Sequence, residues 1–160
     1  MKISVNQPAT CRQVQADNVK RLAEFHLKKA AVLDSNLLNI NLSVLLADND
    51  SIKEINVAHL DHNDITDVIS FKYRPDPNLD DTSCYADIVV NVELAEEIGP
   101  EYEGRDHELA LYIAHGINHL TGADDNTDQD RKNMRNRELF WLKGAKEIGL
   151  LTALFLSEEK

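Results

Sequence analysis

The chain of 160 residues has little of several things, and each shortage narrows what it can be. It has two cysteines, Cys11 and Cys84, with no spacing that suggests a pair. That excludes a disulfide framework and a zinc site built mainly on sulfur, and it reads as two free thiols in a reducing compartment. No apolar run approaches the ~20 residues of a spanning helix. The longest apolar stretch, Gly149 to Leu156, is far shorter, and the opening MKISVNQPATCRQV has no signal-peptide pattern. A soluble, cytoplasmic protein without a membrane partner is therefore expected. Positive charge is also scarce. Seventeen Lys and Arg stand against 28 Asp and Glu, a net charge of −11, which disfavours nonspecific binding to naked nucleic acid. No internal repeat, low-complexity segment or linker is visible.

What is present reads as one ordinary folded domain spanning residues 1–160, with 42% hydrophobic and 28% charged residues. Short strands are expected at Lys2–Val5, Ile40–Leu46, Asp67–Tyr73 and Asp87–Asn91, from period-two alternation and β-branched content. Pro8–Gln13 reads as a turn and Arg74–Thr82 as a loop. Helical spacing predicts helices at Asp17–Val32, Ser51–His59 (with Ser51 as cap and Glu54 three residues on), Val92–Ile98, Arg105–Leu120, and Thr127 to about Ile148. Leu109, Ile113, Ile117 and Leu120 form the core-facing stripe of the fourth helix. The fold class is thus α/β (α+β), a small mixed sheet of about four strands against several helices, zincin-like.

The segment that carries chemistry is His115-Gly-Ile-Asn-His119-Leu-Thr-Gly122-Ala-Asp124-Asp125. Histidines four apart on a helix share one face and can fill adjacent corners of a metal's coordination shell. Gly122 can take the left-handed conformation that ends the helix and turns the chain back. A ligand three residues later, Asp125, then returns to the same metal, with Asp124 as the other carboxylate in reach. Three protein ligands leave an open position, the catalytic arrangement. Zincin proteases need Glu directly after the first histidine as general base, and this chain has Gly116, which speaks against peptide hydrolysis. Glu108 lies on the same helical stripe, two turns earlier, and is expected to be structural. Basic residues cluster at Arg131, Lys132, Arg135 and Arg137, at Lys28 and Lys29, and at Lys72 and Arg74.

These residues resemble the YbeY family of rRNA-maturation endoribonucleases. HGINHLTGADD is similar to the family signature, HELALYIAHG to the run into it, TDVISF (Thr66 to Phe71) and ADIVVN (Ala86 to Asn91) to two of its strands, and Met134 and Glu138 to positions in its last helix. The resemblance covers about residues 38 to 140. It implies one Zn2+ ion with His115 and His119 carried over as ligands, while Asp125 stands where the family has a third histidine. It further implies single-strand-specific cleavage of a ribosomal RNA precursor at the small-subunit 3' end, a part in ribosome quality control, and contact with ribosomal small-subunit proteins. The family's arginine in a Tyr-Arg pair before the TDV threonine is Leu60 here, after His59, and an additional helix histidine is Leu111. Lys72 and Arg74 are the candidates to contact phosphate in that arginine's stead. The competing expectation is a ribosome-associated factor that kept the fold without catalysis. An anionic third ligand donates more charge to a metal than imidazole, so an activity optimum at higher pH is expected.

Overall fold

The computed structural model describes residues 1–73, 78 and 83–157. The expected loop at Arg74–Thr82 falls largely outside them, as does the candidate phosphate contact Arg74. Four strands form one sheet in the order β1-β2-β4-β3: β1 (Lys2–Asn6), β2 (Ile40–Ala47), β3 (Val68–Tyr73) and β4 (Cys84–Asn91). The pairs β1–β2 and β2–β4 are parallel, and β3 runs antiparallel to β4. Strand β2 pairs with β4 along its whole length, from Ile40 opposite Cys84 to Ala47 opposite Asn91. That full pairing starts β4 three residues before the expected Asp87, with Cys84 and Ala86 buried and Tyr85 exposed between them.

Helix α1 (Ala16–Ala30) crosses between the parallel strands β1 and β2, the connection parallel pairing requires. It ends two residues before the expected Val32. Val32 and Leu33 are exposed, so no core contact extends the helix, and a short 3-10 turn at Ser35–Asn39 follows. The expected turn at Pro8–Gln13 contains another such turn, Ala9–Cys11. Helix α2 spans Asn49–Leu60. Its cap is Asp48, whose carboxylate accepts the Ser51 N–H, and not Ser51 as the sequence pattern suggested. Both residue types cap well, and the helix takes the one that adds a further turn. Helices α3 (Val92–Ile98), α4 (Arg105–Leu120) and α5 (Asp128–Glu147) complete the domain. The Thr127 hydroxyl accepts the Asp130 N–H and starts α5 as expected.

Most of the apolar side chains form one cluster on the face of the sheet that α1 and α4 cover. Helix α2 covers the other face through Ile52, over Ala47, Ile69 and Val89. Helix α4 is the centre of the structure, in contact with β3, β4, α1, α3 and α5. The apolar end of the chain closes the domain: Leu154 and Phe155 are buried, and their N–H groups both donate to the Asp106 carboxylate on α4. Both cysteines are buried and unpaired.

Helix α4 sits very close to the sheet at Gly116. A Cβ there would lie 2.8 Å from a Val68 methyl and 3.3 Å from an Ile88 methyl. The gap is closed on one side by the Ser70 hydroxyl, which donates to the Gly116 carbonyl at 2.8 Å. A side chain at 116 would strain a core of β-branched neighbours. Gly116→Ala should therefore be about 1–2 kcal/mol less stable, the overpacking cost outweighing the helix propensity gained. A denaturant midpoint equal to or above the wild-type value would contradict this.

His26 on α1 is buried with neither ring nitrogen hydrogen bonded, beside the ring of Trp141 at 6.0 Å. Burial pushes its pKa down from 6.5 to about 3. The unfolded chain thus takes up this proton below pH 6.5, and the folded chain only below about 3. Stability is full above pH 6.5 and falls as the pH drops through that window. The slope is about 1.4 kcal/mol per pH unit from this group, or about 2 kcal/mol at pH 5. A His26→Leu variant should lose much of the acid sensitivity, and melting curves from pH 7 to pH 5 that run parallel for the two proteins would refute the assignment.

Candidate metal centre

His115 and His119 lie on the last turns of α4, on the flank beside the sheet contact at Gly116. Their Nε2 atoms are 3.2 Å apart. The chain then turns at Gly122, whose φ of 88° lies in the left-handed region, and returns Asp125 to the pair. The Asp125 Oδ2 is 3.9 Å from each Nε2. Asp124 points elsewhere: it is exposed, and its Oδ1 accepts the Asn126 N–H at 3.4 Å. The three candidate ligand atoms of His115, His119 and Asp125 all lie within 4.8 Å of one another. A tetrahedral ion with bonds of ~2.0–2.1 Å separates its ligands by about 3.3 Å, so the two nitrogens stand at ligand spacing and the carboxylate needs only a small movement.

The hydrogen bonds on the far side of each ring decide what the facing nitrogens can do. His119 Nδ1 lies 3.1 Å from the Ala123 carbonyl, which only accepts, so that nitrogen carries the proton. His115 Nδ1 lies 2.7 Å from the Glu138 carboxylate and donates likewise. In the neutral rings both Nε2 atoms then present lone pairs to each other across 3.2 Å. Such a pair repels unless a proton or a metal ion stands between them. The donor set therefore fits a metal: two nitrogen lone pairs and one carboxylate converging on one point.

Glu138 is the residue that motif spacing alone did not bring out. It is fully buried on α5, and besides His115 it accepts from Asn118 Nδ2 at 3.0 Å. Asn118 Oδ1 accepts in turn from Arg137 at 3.0 Å, and Arg135 Nε lies 4.0 Å from the second Glu138 oxygen. A carboxylate behind a metal-ligating histidine fixes its tautomer and raises its basicity. Burial pushes the His115 pKa down, but the Glu138 hydrogen bond and charge, with Asp67 and Asp125, outweigh it and hold it above the ordinary value. A signal was present: Met134, Glu138, Trp141, Leu142 and Ala145 are the buried positions of α5, so Glu138 is a charged residue inside a core stripe.

Two cavities open on the pair. One, of about 360 Å³, is lined by His119, Lys72, Leu60, Thr66 and Ser70 among others. Lys72 is thus placed beside the centre, but its ammonium already donates to Asp34 and to the Leu120 carbonyl, each at 3.0 Å. Leu60 puts an apolar side chain on the same wall. The other cavity, of about 500 Å³, is lined by His115, Asp125, Asp67, Arg131, Lys132 and Arg135. The basic cluster of the sequence therefore divides: Arg131, Lys132 and Arg135 face the centre, and Arg137 braces Asn118. Arg131 also donates to the Asp125 carbonyl at 3.1 Å and pairs with Asp128. Lys28 pairs with Glu24 on α1 at 3.2 Å, and Lys29 stands over the Phe25 ring.

Residues 4–146 match the family described as Endoribonuclease YbeY. The chain belongs to the Endoribonuclease YbeY family. A protein of that name from Staphylococcus aureus is 32% identical over 127 residues, covering 75% of this chain and 79% of the relative. The Fusobacterium nucleatum relative is 39% identical over 100 residues, 61% of this chain, and the match spans 62% of the relative's length. The solution structure of a Thermotoga maritima protein shares the fold, with a TM-score of 0.59 over 99% of this chain and 98% of the other at 21% identity. No helix among the described residues is long and apolar enough to cross a membrane.

The buried carboxylate makes a direct prediction. Glu138→Gln keeps the shape and removes the charge behind His115, so metal affinity should fall about tenfold or more. Competition with a chromophoric chelator measures this, and an affinity equal to wild type would show that Glu138 only packs.

Proposed function

We propose that the chain is a metal-dependent endoribonuclease that cuts single-stranded RNA at the centre formed by His115, His119 and Asp125. The observation that carries this reading is the placement of that ligand set in a groove whose adjoining wall is Arg131, Lys132 and Arg135. A bound ion of the zinc type would supply Lewis-acid stabilisation of the phosphodiester oxygens and a more acidic water. The chain's own residues do the rest. Glu138 and the Ala123 carbonyl fix the two imidazoles with Nε2 inward. The three cations hold the phosphates on one side of the centre, and Lys72 lines the other. Gly116 faces the sheet, so the position next to the first histidine cannot offer a protease's general base to the groove.

The ribosomal substrate, small-subunit rRNA with its proteins in the cytoplasm, and a role in ribosome quality control follow from the likeness of HGINHLTGADD and its flanking strands to the family. Leu60 on the groove wall favours a second reading, a ribosome-associated factor with impaired catalysis. Cleavage of single-stranded rRNA fragments by the zinc-loaded protein separates the two. Wild type should cut and His115→Ala should fall to background; absence of cleavage by wild type, or cleavage that survives the substitution, overturns the proposal.

The anionic third ligand has its own signature. Asp125→His replaces a carboxylate by a neutral ring, so the activity optimum should move to lower pH. An optimum that stays in place would mean that Asp125 does not complete the coordination.

A further inference from the structure

A third cavity, of about 550 Å³, continues the groove beyond the centre. It shares Asp67 and Arg135 with the cationic cavity and Thr66 with the one at Lys72. Its character differs from both. Leu94, Ile98 and Leu111 make an apolar floor, and Tyr102, 69% exposed, stands at its rim. Its charged groups are the carboxylates of Asp67 and the buried Glu108 with the Arg135 guanidinium, beside the hydroxyls of Thr66 and Tyr112. Two carboxylates with one cation make a poor seat for phosphate. An apolar slot with an exposed aromatic ring and buried acceptors suits an unstacked base.

Resting on the reading of the groove as an RNA site, we propose that this cavity receives a guanine base of the bound strand, stacked on Tyr102 with its N1–H and N2–H donating to Glu108. The choice among bases follows from the acceptor. An ionised carboxylate can only accept, and guanine alone presents two adjacent N–H donors on its Watson–Crick edge. Adenine and cytosine place an acceptor beside their amino group, and uracil flanks its one N–H with two carbonyls. Burial holds the Glu108 carboxyl above its ordinary range, and the charges of His107 and Arg135 with the Tyr112 hydrogen bond offset that only in part, while N–H donors of a seated base would favour the ionised form. Tyr112, one helical turn on, faces Glu108 as a phenol held protonated by burial and by that carboxylate. Arg135, common to both cavities, sits where the phosphate beside the base would pass. Cleavage would then fall next to a guanosine.

The test uses single-stranded oligouridylates carrying one central G, A, C or inosine. Binding is read by fluorescence anisotropy, and the position of cutting is read separately with zinc-loaded protein. The G strand should bind about tenfold or more tightly than the A and C strands, as a two-donor contact to one side chain allows. Inosine, which lacks the N2 amino group, should lose most of that advantage, and cuts should map beside G. Glu108→Gln should erase the preference for the G strand over the A and C strands. Should that buried substitution unfold the protein, Tyr102→Ala decides, since its ring is at the surface and its loss should bring the G strand down to the all-uridine affinity. Equal binding of all four strands, or a G preference that survives these variants in folded protein, overturns the proposal. Selective binding of the G strand without any cleavage would support the pocket and sink the nuclease reading, whereas cleavage with no base preference would do the reverse.

Discussion

The close approach of helix α4 to the sheet at Gly116 sets the position of everything functional in this domain. With no Cβ at 116, the helix lies against the methyls of Val68 and Ile88, and Ser70 ties its backbone to β3. Residues 115 and 119 are one turn apart on such a helix and share a face. Once the Gly116 side is seated on the sheet, the neighbouring imidazoles are directed to the edge of β3 and the N-terminal half of α5. A helix held further out would carry both rings away from Asp67 and Lys72, which are part of β3 or enter it. Packing and chemistry are thus coupled through one missing side chain.

The second constraint is the buried charge of Glu138. A carboxylate inside a core costs several kcal/mol unless it is paired and hydrogen bonded. Here its partners are His115 and Asn118 on α4, with Arg135 near the second oxygen. The contact therefore fixes the register of α5 on α4 while it orients the imidazole. Arg135 and Lys132 come from the same turns of α5, so the register that satisfies Glu138 also places the cations beside the centre.

Much of this could be read from the chain, and the reasons it could or could not are local. The histidine pair, Gly122 and Thr127 act within a few residues of themselves, so spacing was enough to place them. The four strands were legible because alternation reflects one buried face, but at the start of β4 the small Cys84 and Ala86 are weak apolar signals, and pairing with β2 extends the strand through them. The cap of α2 was misplaced because Asp48 and Ser51 carry equivalent capping chemistry three residues apart. The choice of Asp125 over Asp124 depends on the turn after Gly122, where a one-residue difference reverses the side chain's direction. Lys72 was read as a candidate phosphate contact, and only the fold reveals that Asp34 and the end of α4 already hold its ammonium.

The net charge of −11 and the proposed RNA substrate are compatible because the charge is not spread evenly along the groove. Arg131, Lys132 and Arg135 stand on one wall next to the ligand set, and the carboxylates Asp67 and Glu108 gather beyond it. Phosphates attract only over about a Debye length, ~8 Å at physiological salt, so the local cations act on a strand in the groove and the distant acidic surface does not. The acidic surface does act on strands elsewhere, by repelling them. Outside the groove acidic groups outnumber the remaining cations, so the proposed binding of RNA would depend on the contacts made inside it. A protein built this way would discriminate by what its groove accepts, and with the Lys72 ammonium already held by Asp34 and the Leu120 carbonyl, that burden would fall on the cations of α5.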